Sequence, residues 1–244
     1  MLLEGGGFNQ VLLKISWQLF KYWLAIWMIA LVGCDAKLED LTRTGTDYYP
    51  IRLGSYWVYE MKDTTYLVTG EVVSQYQLRE QVIDSVDDPL NDDVVYAIER
   101  SVRANDMDRW KVDSIWTVRL SAQHVVRVEN NTPYIALSFP IAHNRSWDGN
   151  ALNRLPIEDY SSQKVLQDSV IHETSYHDLW RVVQADVPAD FISKKQVSVL
   201  YAKDIGVVQK FHSHWIFCQS ECTTTDQIIA GRGYLQTLIA YGQD

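Results

Sequence analysis

Three cysteines in 244 residues are too few for the dense disulfide scaffolds of small secreted domains, and no uncharged apolar run reaches the about 20 residues of a membrane-spanning helix. Helical spacing of apolar residues is nearly absent, and the chain has neither an internal repeat nor a low-complexity run, which argues against bundles and solenoids. Positive charge is also scarce. Twenty-two lysines and arginines face 31 acidic residues, for a formal net charge of −9. Such a surface repels phosphate backbones and anionic headgroups, so no nucleic acid is expected as a partner. The catalytic signatures are missing too: there is no GxSxG elbow, no GxxxxGK[ST] loop and no GxGxxG fingerprint. His172-Glu173 and His177-Asp178 resemble a zinc-peptidase pair, but their histidines are five apart where one helical turn needs four. No cofactor is called for.

What is present begins at the N-terminus. Lys14 and Lys21 precede the uncharged stretch from Tyr22 to Val32, which reads as the charged and apolar regions of a secretory signal. An uncleaved anchor would have to extend that stretch backwards into Lys21 and Lys14. Leu31-Val32-Gly33-Cys34 follows directly and resembles the lipobox of bacterial lipoproteins. In that family the cysteine thiol receives a diacylglyceryl group, the small residue before it admits the signal peptidase, and the new amino group is acylated. Two or more acyl chains give stable anchoring where one does not, so the lipid bilayer is an expected partner through Cys34. The expected organisation is a signal peptide over residues 1–33, lipidated Cys34 with a flexible polar tether to residue 46, and one β-rich domain over residues 47–244. Removing the 33-residue leader from 244 leaves 211 residues, enough for one domain with a substantial core. It also removes two lysines and one glutamate, so the mature chain is more acidic by one unit.

From Tyr56 onward the dominant signal is period-two alternation rich in Val, Ile, Tyr, Trp and Thr, which predicts strands that bury one face. The expected strands are 56–61, 66–82, 94–103, 110–120, 124–129, 134–138, 165–171, 179–185, 196–202, 207–215 and 234–241. Turn chemistry separates them at Asp87 to Asn91, Asn130-Asn131, Asp204-Ile205-Gly206 and Gly231-Arg232-Gly233. Short links give an antiparallel meander, and so many strands must curl, close or split. The expected fold is therefore mainly β: a strongly curved sheet or incomplete β-barrel with one long irregular insertion, Phe139 to Asp159, suited to a lid, a plug or a short helix.

The segment from Tyr48 to Tyr59 resembles the opening Y-x-P-x-x-x-G-x-x-W-x-Y segment of uncharacterised lipoproteins from Bacteroidota. Phe139-Pro140, Ser146 to Asn150, Tyr201 to Val208 and the final stretch from Tyr234 to Gly242 are similar to the same group. The resemblance implies curved, incomplete antiparallel barrels, loosely similar to envelope lipoprotein carriers, and brings no activity and no catalytic residue. It favours the cell envelope, with the outer membrane ahead of the inner. Asp35 after the cysteine signals inner-membrane retention in enteric bacteria, a rule that does not transfer to Bacteroidota. Four Asp-Ser/Thr sites, at Asp63, Asp84, Asp113 and Asp168, suit the O-glycan acceptors of that phylum and equally suit strand ends and turns.

Several side-chain groups are candidates for chemistry. Cys218 and Cys222 are positioned for a disulfide if the three residues between them turn tightly, with free thiols or a metal pair as alternatives. His212 and His214 share a strand face and form half of a metal site, or are two solvent-facing histidines beside a buried Phe211 and Trp215. The aspartates at 87, 88, 92 and 93 suit Ca²⁺ or, better, a solvated hairpin turn. Six tryptophans belong to the mature domain, and Trp57 and Trp147 are candidates for an apolar or amphipathic ligand cavity on a concave sheet, the alternative being a filled interior. The favoured function is a membrane-anchored envelope lipoprotein with a non-enzymatic binding or scaffold role, whose partner is a lipid, a glycan or an envelope protein. The alternative is a motif-less hydrolase or metal-dependent enzyme using His212 and His214.

The anchor is tested by Cys34→Ala, which is expected to leave the protein either unprocessed or soluble. Detergent partitioning identical to that of the parent contradicts the lipidation.

Overall fold

Alternation with branched and aromatic residues commits the chain to strand: 67% of the described residues are strand and 2% helix. The structure is a computed structural model that describes residues 45–88, 93–222, 224 and 226–244. The expected signal peptide, Cys34 and all but residues 45 and 46 of the expected tether lie outside the described residues, as do residues 89–92 of the expected acidic turn.

Among the described residues, fourteen strands follow a short 3-10 turn at Thr46–Tyr48. They are β1 (Ser55–Leu67), β2 (Gly70–Asp88), β3 (Asp93–Arg103), β4 (Lys111–Leu120), β5 (His124–Glu129), β6 (Thr132–Ser138) and β7 (Arg145–Asp148). The remainder are β8 (Asp159–Val165), β9 (Ser169–Ile171), β10 (Thr174–Tyr176), β11 (Leu179–Val187), β12 (Ser193–Ala202), β13 (Gly206–Phe217) and β14 (Ile228–Gln243). Twelve form one antiparallel sheet in the order β6-β5-β4-β3-β2-β1-β14-β13-β12-β11-β8-β7, while β9 and β10 form a separate hairpin. The first and last strands pair over nearly their whole lengths, Ser55 with Gln243 through to Tyr66 with Gly231, so two meanders are joined back to back.

The sheet nearly closes into a barrel with one unsealed seam between its edge strands. At that seam the Ile135 N–H donates to the Gly149 carbonyl (2.9 Å), the Trp147 indole N–H donates to the Ile135 carbonyl (2.9 Å), and the Asn153 amide donates to the Pro133 carbonyl (2.8 Å). These bonds satisfy part of an edge that would otherwise recruit a foreign strand.

The stretch from Phe139 to Asp159 was expected to supply a lid, plug or helix, and instead supplies β7 and the turn that meets this seam. The plugging segment is Tyr48 to Ile51, ahead of β1. Tyr48, Tyr49 and Ile51 are buried among Val82, Ile98 and Val118 of the sheet. The 3-10 turn is held there by the Asp204 N–H, which donates to the Asp47 carbonyl, and by a Lys203–Asp47 ion pair. Wholly buried side chains such as Leu78, Ile98, Val118 and Val182 each contribute roughly 1.5–3 kcal/mol by leaving water. A second cluster joins Ile171 and Tyr176 of the small hairpin to Leu179, Leu200 and Ala202. Their register puts Leu179 and Ala202 on the face opposite Trp180 and Tyr201.

Three sequence expectations are corrected. A single strand over 66–82 is two, broken at Val68-Thr69 with Leu67 paired to Gly70; that turn has no Asn, Asp or Pro to announce it. A strand over 165–171 straddles the real break between β8 and β9, because the polar alternation of β8, DYSSQKV, hid it. Gly231-Arg232-Gly233, expected as a turn, lies within β14. Gly231 is there because it faces Trp215 on one side and Tyr66 on the other, with φ of 136° and a Cβ position only 2.1 Å from the His214 carbonyl oxygen.

That close approach sets up a paired stability test. Gly70 has a similar φ of 132° but open space around its Cβ position. Gly70→Ala should incur only backbone strain of roughly 1–3 kcal/mol, whereas Gly231→Ala should lose about 1–3 kcal/mol more because neighbouring backbone must shift. Chemical denaturation giving equal losses for the two variants contradicts the packing at Gly231.

Candidate functional site: a charged cavity inside the barrel

The interior is packed at the Tyr48–Ile51 end and open beyond it. A cavity of about 950 Å³ lies between β1–β5 on one side and β12–β14 on the other, and reaches solvent past the exposed Asp108 and Arg109 of the β3–β4 connection. Its size matches small-molecule sites, but its lining is unusual for one: seven lysines and arginines and four carboxylates, interleaved with Tyr59, Tyr76, Trp116, Tyr134, Tyr201 and Tyr234.

The floor of the cavity is an ion network around Arg127, itself only 9% exposed. Its guanidinium donates to Glu80 through two nitrogens (2.9 and 3.3 Å), to Glu129 Oε1 (2.9 Å) and to the Tyr49 hydroxyl (3.0 Å). Tyr134 donates its hydroxyl proton to Glu129 Oε1 (2.6 Å). Glu80 stands opposite Arg100 in the β2–β3 register, with Arg100 Nε 3.4 Å from Glu80 Oε1. The Arg100 guanidinium lies 3.7 Å over the Trp116 ring, with Arg127 5.5 Å from the same ring. Period two explains the grouping: Val125, Arg127 and Glu129 alternate on one face of β5, and Leu78, Glu80 and Val82 on one face of β2.

This field moves proton affinities. Burial pushes Glu129 towards neutrality, but Lys210, Arg127 and the Tyr134 hydroxyl together overcome it and bring its carboxyl down to about 2. Burial lowers Lys210 while the attraction of Glu129 raises it, with a net rise, so Lys210 stays charged. His212 is lowered to about 4, by burial first and then by repulsion from Lys210 and Arg232. Its ring stacks on Tyr234 at 5.0 Å and 4° between planes. Arg232 is tied to Asp63 by Nε–Oδ1 (3.0 Å) and a second, shorter contact.

The residues singled out from sequence fall in different places. Cys218 and Cys222 are joined by a disulfide with their Cα atoms 5.8 Å apart. Trp57 and Trp147 do not border the large cavity. Their indole N–H groups donate to the Ile205 (2.6 Å) and Ile135 (2.9 Å) carbonyls in the packed half, where Trp57 touches only a void of about 20 Å³. His212 lines the cavity and Phe211 is exposed, the reverse of the expected phase, because the inward face of β13 is polar. His214 is exposed, and its cross-strand partners are Lys195 and Arg232. Cations crowd the histidine pair and disfavour a divalent metal, and no group of three His, Cys, Asp or Glu converges among the described residues. Arg127, Glu80, Lys210 and Trp116 were not picked out from sequence. For Glu80 the available signal was a charge at a strand position whose i±2 neighbours, Leu78 and Val82, are apolar.

No family model matches the chain and no curated protein matches it. Two solved structures are similar to it. One, from Bacteroides fragilis, is described as an exported protein with a YmcC-like fold, at 11% identity and TM-score 0.42, with 80% of this chain and 98% of that one covered. The other, from Parabacteroides distasonis, is described as a lipoprotein, at 9% identity and TM-score 0.42, with the same coverage.

The proton affinities predict a two-stage loss of stability on acidification. Between about pH 6.5 and 4 the unfolded chain protonates residue 212 and the folded barrel does not, so stability falls. Between about 4.5 and 2 Glu129 adds a second loss, since its folded carboxyl resists protonation. Denaturation measured across pH should lose its upper stage in His212→Gln. An NMR titration of His212 with a midpoint near 6.5 contradicts the burial.

Proposed function

We propose that this chain is a membrane-anchored envelope lipoprotein with a non-enzymatic binding role, holding an amphipathic ligand inside its curved β-sheet. The observation that carries the reading is the cavity: about 950 Å³, reached from solvent, walled partly by Met61, Tyr76 and Val102 and partly by charged side chains. A packed barrel of this size fills its interior with side chains, whereas a carrier leaves room for a guest. Trp116, Tyr134 and Tyr201 offer aromatic faces with polar tips, suited to a guest that is itself part apolar and part polar. The expected lipid on Cys34 would hold this container at a membrane, the outer membrane being favoured by the sequence resemblance. The enzyme alternative loses its motive, because His212 is neutral and stacked while His214 faces water among cations.

Native mass spectrometry of the full-length protein extracted from its own envelope tests the reading. The expected result is a co-purifying amphiphile that is lost when Val102→Trp fills part of the cavity, with the β circular dichroism spectrum unchanged. A protein that is always empty, yet stoichiometrically bound to another envelope protein regardless of Val102→Trp, makes it a scaffold and overturns the binding role.

A further inference from the structure

Most charges that line the cavity are directly paired, and the cations that are not point to the missing partner. The four carboxylates of the cavity are largely used: Glu80 by Arg127 and Arg100, Glu129 by Arg127 and Tyr134, Asp113 by Arg100, and Asp108 by the Asn105 amide. Four of the seven cations are paired as well, Arg100 and Arg127 as above, Arg232 with Asp63 and Arg103 with Asp106. Lys210 has no hydrogen bond or ion pair among the described residues, and the same holds for Arg109 and Lys111 at the solvent end of the cavity. All of this sits within a chain whose overall charge is −9, so the cavity is a positive interior in a negative protein.

Lys210 lines the cavity with no direct partner for its three donors, so a guest that brings oxygens can take them in charge-assisted hydrogen bonds. We infer that the cavity holds the anionic headgroup of its ligand, a phosphate or carboxylate, with Lys210 as its principal charge partner and the Arg100–Trp116 stack beside it. The inference rests on the binding role proposed above and specifies its chemistry. Lys210 remains protonated because Glu129 offsets the effect of burial, so the charge needed for recognition is present at neutral pH. Arg109 on the β3–β4 connection and Lys111 at the start of β4, both exposed, extend the positive potential to the solvent end and draw an anion inward past the negative outer surface. The part of the ligand that follows the headgroup meets Met61, Tyr76 and Val102, which are apolar.

Isothermal titration of the full-length protein in amphipol tests this with three probes: dodecyl phosphate, dodecyl maltoside and inorganic phosphate. Dodecyl phosphate should bind at least about tenfold more tightly than dodecyl maltoside, the size of one charge-assisted contact. Lys210→Met should erase that preference, Lys210→Arg should keep it, and Lys203→Met, on the outer surface beside Asp47, should leave it unchanged. If dodecyl maltoside binds as tightly as dodecyl phosphate and neither responds to Lys210→Met, the anion site is wrong while the binding role stands. If inorganic phosphate binds as tightly as dodecyl phosphate, the anion site stands and the guest is a free anion, which overturns the amphiphile reading. If no probe binds, both fall. Lys210→Arg keeps the test decisive should Lys210→Met fail to fold, since a charge-preserving variant that loses the preference also contradicts the assignment.

Discussion

A guanidinium cannot be placed dry inside a β-barrel without partners, and the interior of this one is organised around satisfying Arg127. Its donors reach two carboxylates on different strands, Glu80 and Glu129, and the hydroxyl of Tyr49 on the segment that fills one end. Removing a partner from such a group leaves a buried charge, which typically costs about 3–5 kcal/mol, so the network constrains every element that touches it. It sets where Tyr49 sits and hence how deep the Tyr48–Ile51 segment enters. It brings β2 and β5, separated by two strands in the sheet, to a common layer. Below that layer the interior is apolar and packed; above it the interior is charged and open.

The open half follows from the same constraint. Glu80 and Glu129 are taken up at direct contact by Arg127, with Glu129 attracting Lys210 of β13 without a direct ion pair, while the β3–β4 connection and the start of β4 add Arg109 and Lys111. With Asp63 on Arg232 and Asp106 on Arg103, seven cations face six carboxylates, and Lys210, Arg109 and Lys111 make no direct pair among the described residues. Aromatic rings partly screen the charges, Trp116 under Arg100 and Tyr234 between Arg232 and His212. The seam between β6 and β7 lies in the packed half, where Trp147 and Tyr160 stack edge to face, so closure of the barrel and openness of the cavity are handled at different places.

Strand content and the antiparallel meander were readable because branched and aromatic residues alternate along most strands. The phase of alternation was readable only where the inward face is apolar. On β13 the inward residues include Lys210 and His212 and the outward ones include Phe211, so hydrophobicity pointed the wrong way. The same inversion hid the site. Tryptophans drew attention as ligand contacts, but Trp57 and Trp147 use their N–H groups on backbone carbonyls in the packed half, and only Trp116 borders the cavity. Arg127 and Glu129 are two apart beside Val125 on a six-residue strand, which is a mark of buried charge, yet their partner Glu80 lies 47 residues away and no local spacing announces it. Gly231 and Gly233 read as a turn because glycine so often marks one, whereas here close strand approach demands the first of them.

The account stands on the claim that Arg127 and Glu80 form one buried unit that organises the barrel, and a double-mutant cycle measures that unit directly. Chemical denaturation of Arg127→Met, Glu80→Leu and the combined variant should show large losses for each single change and, for the pair, a loss well below their sum, because the double variant strands neither charge against the other. Strictly additive losses would mean that the two groups are independently solvated, and that no charged layer divides the interior.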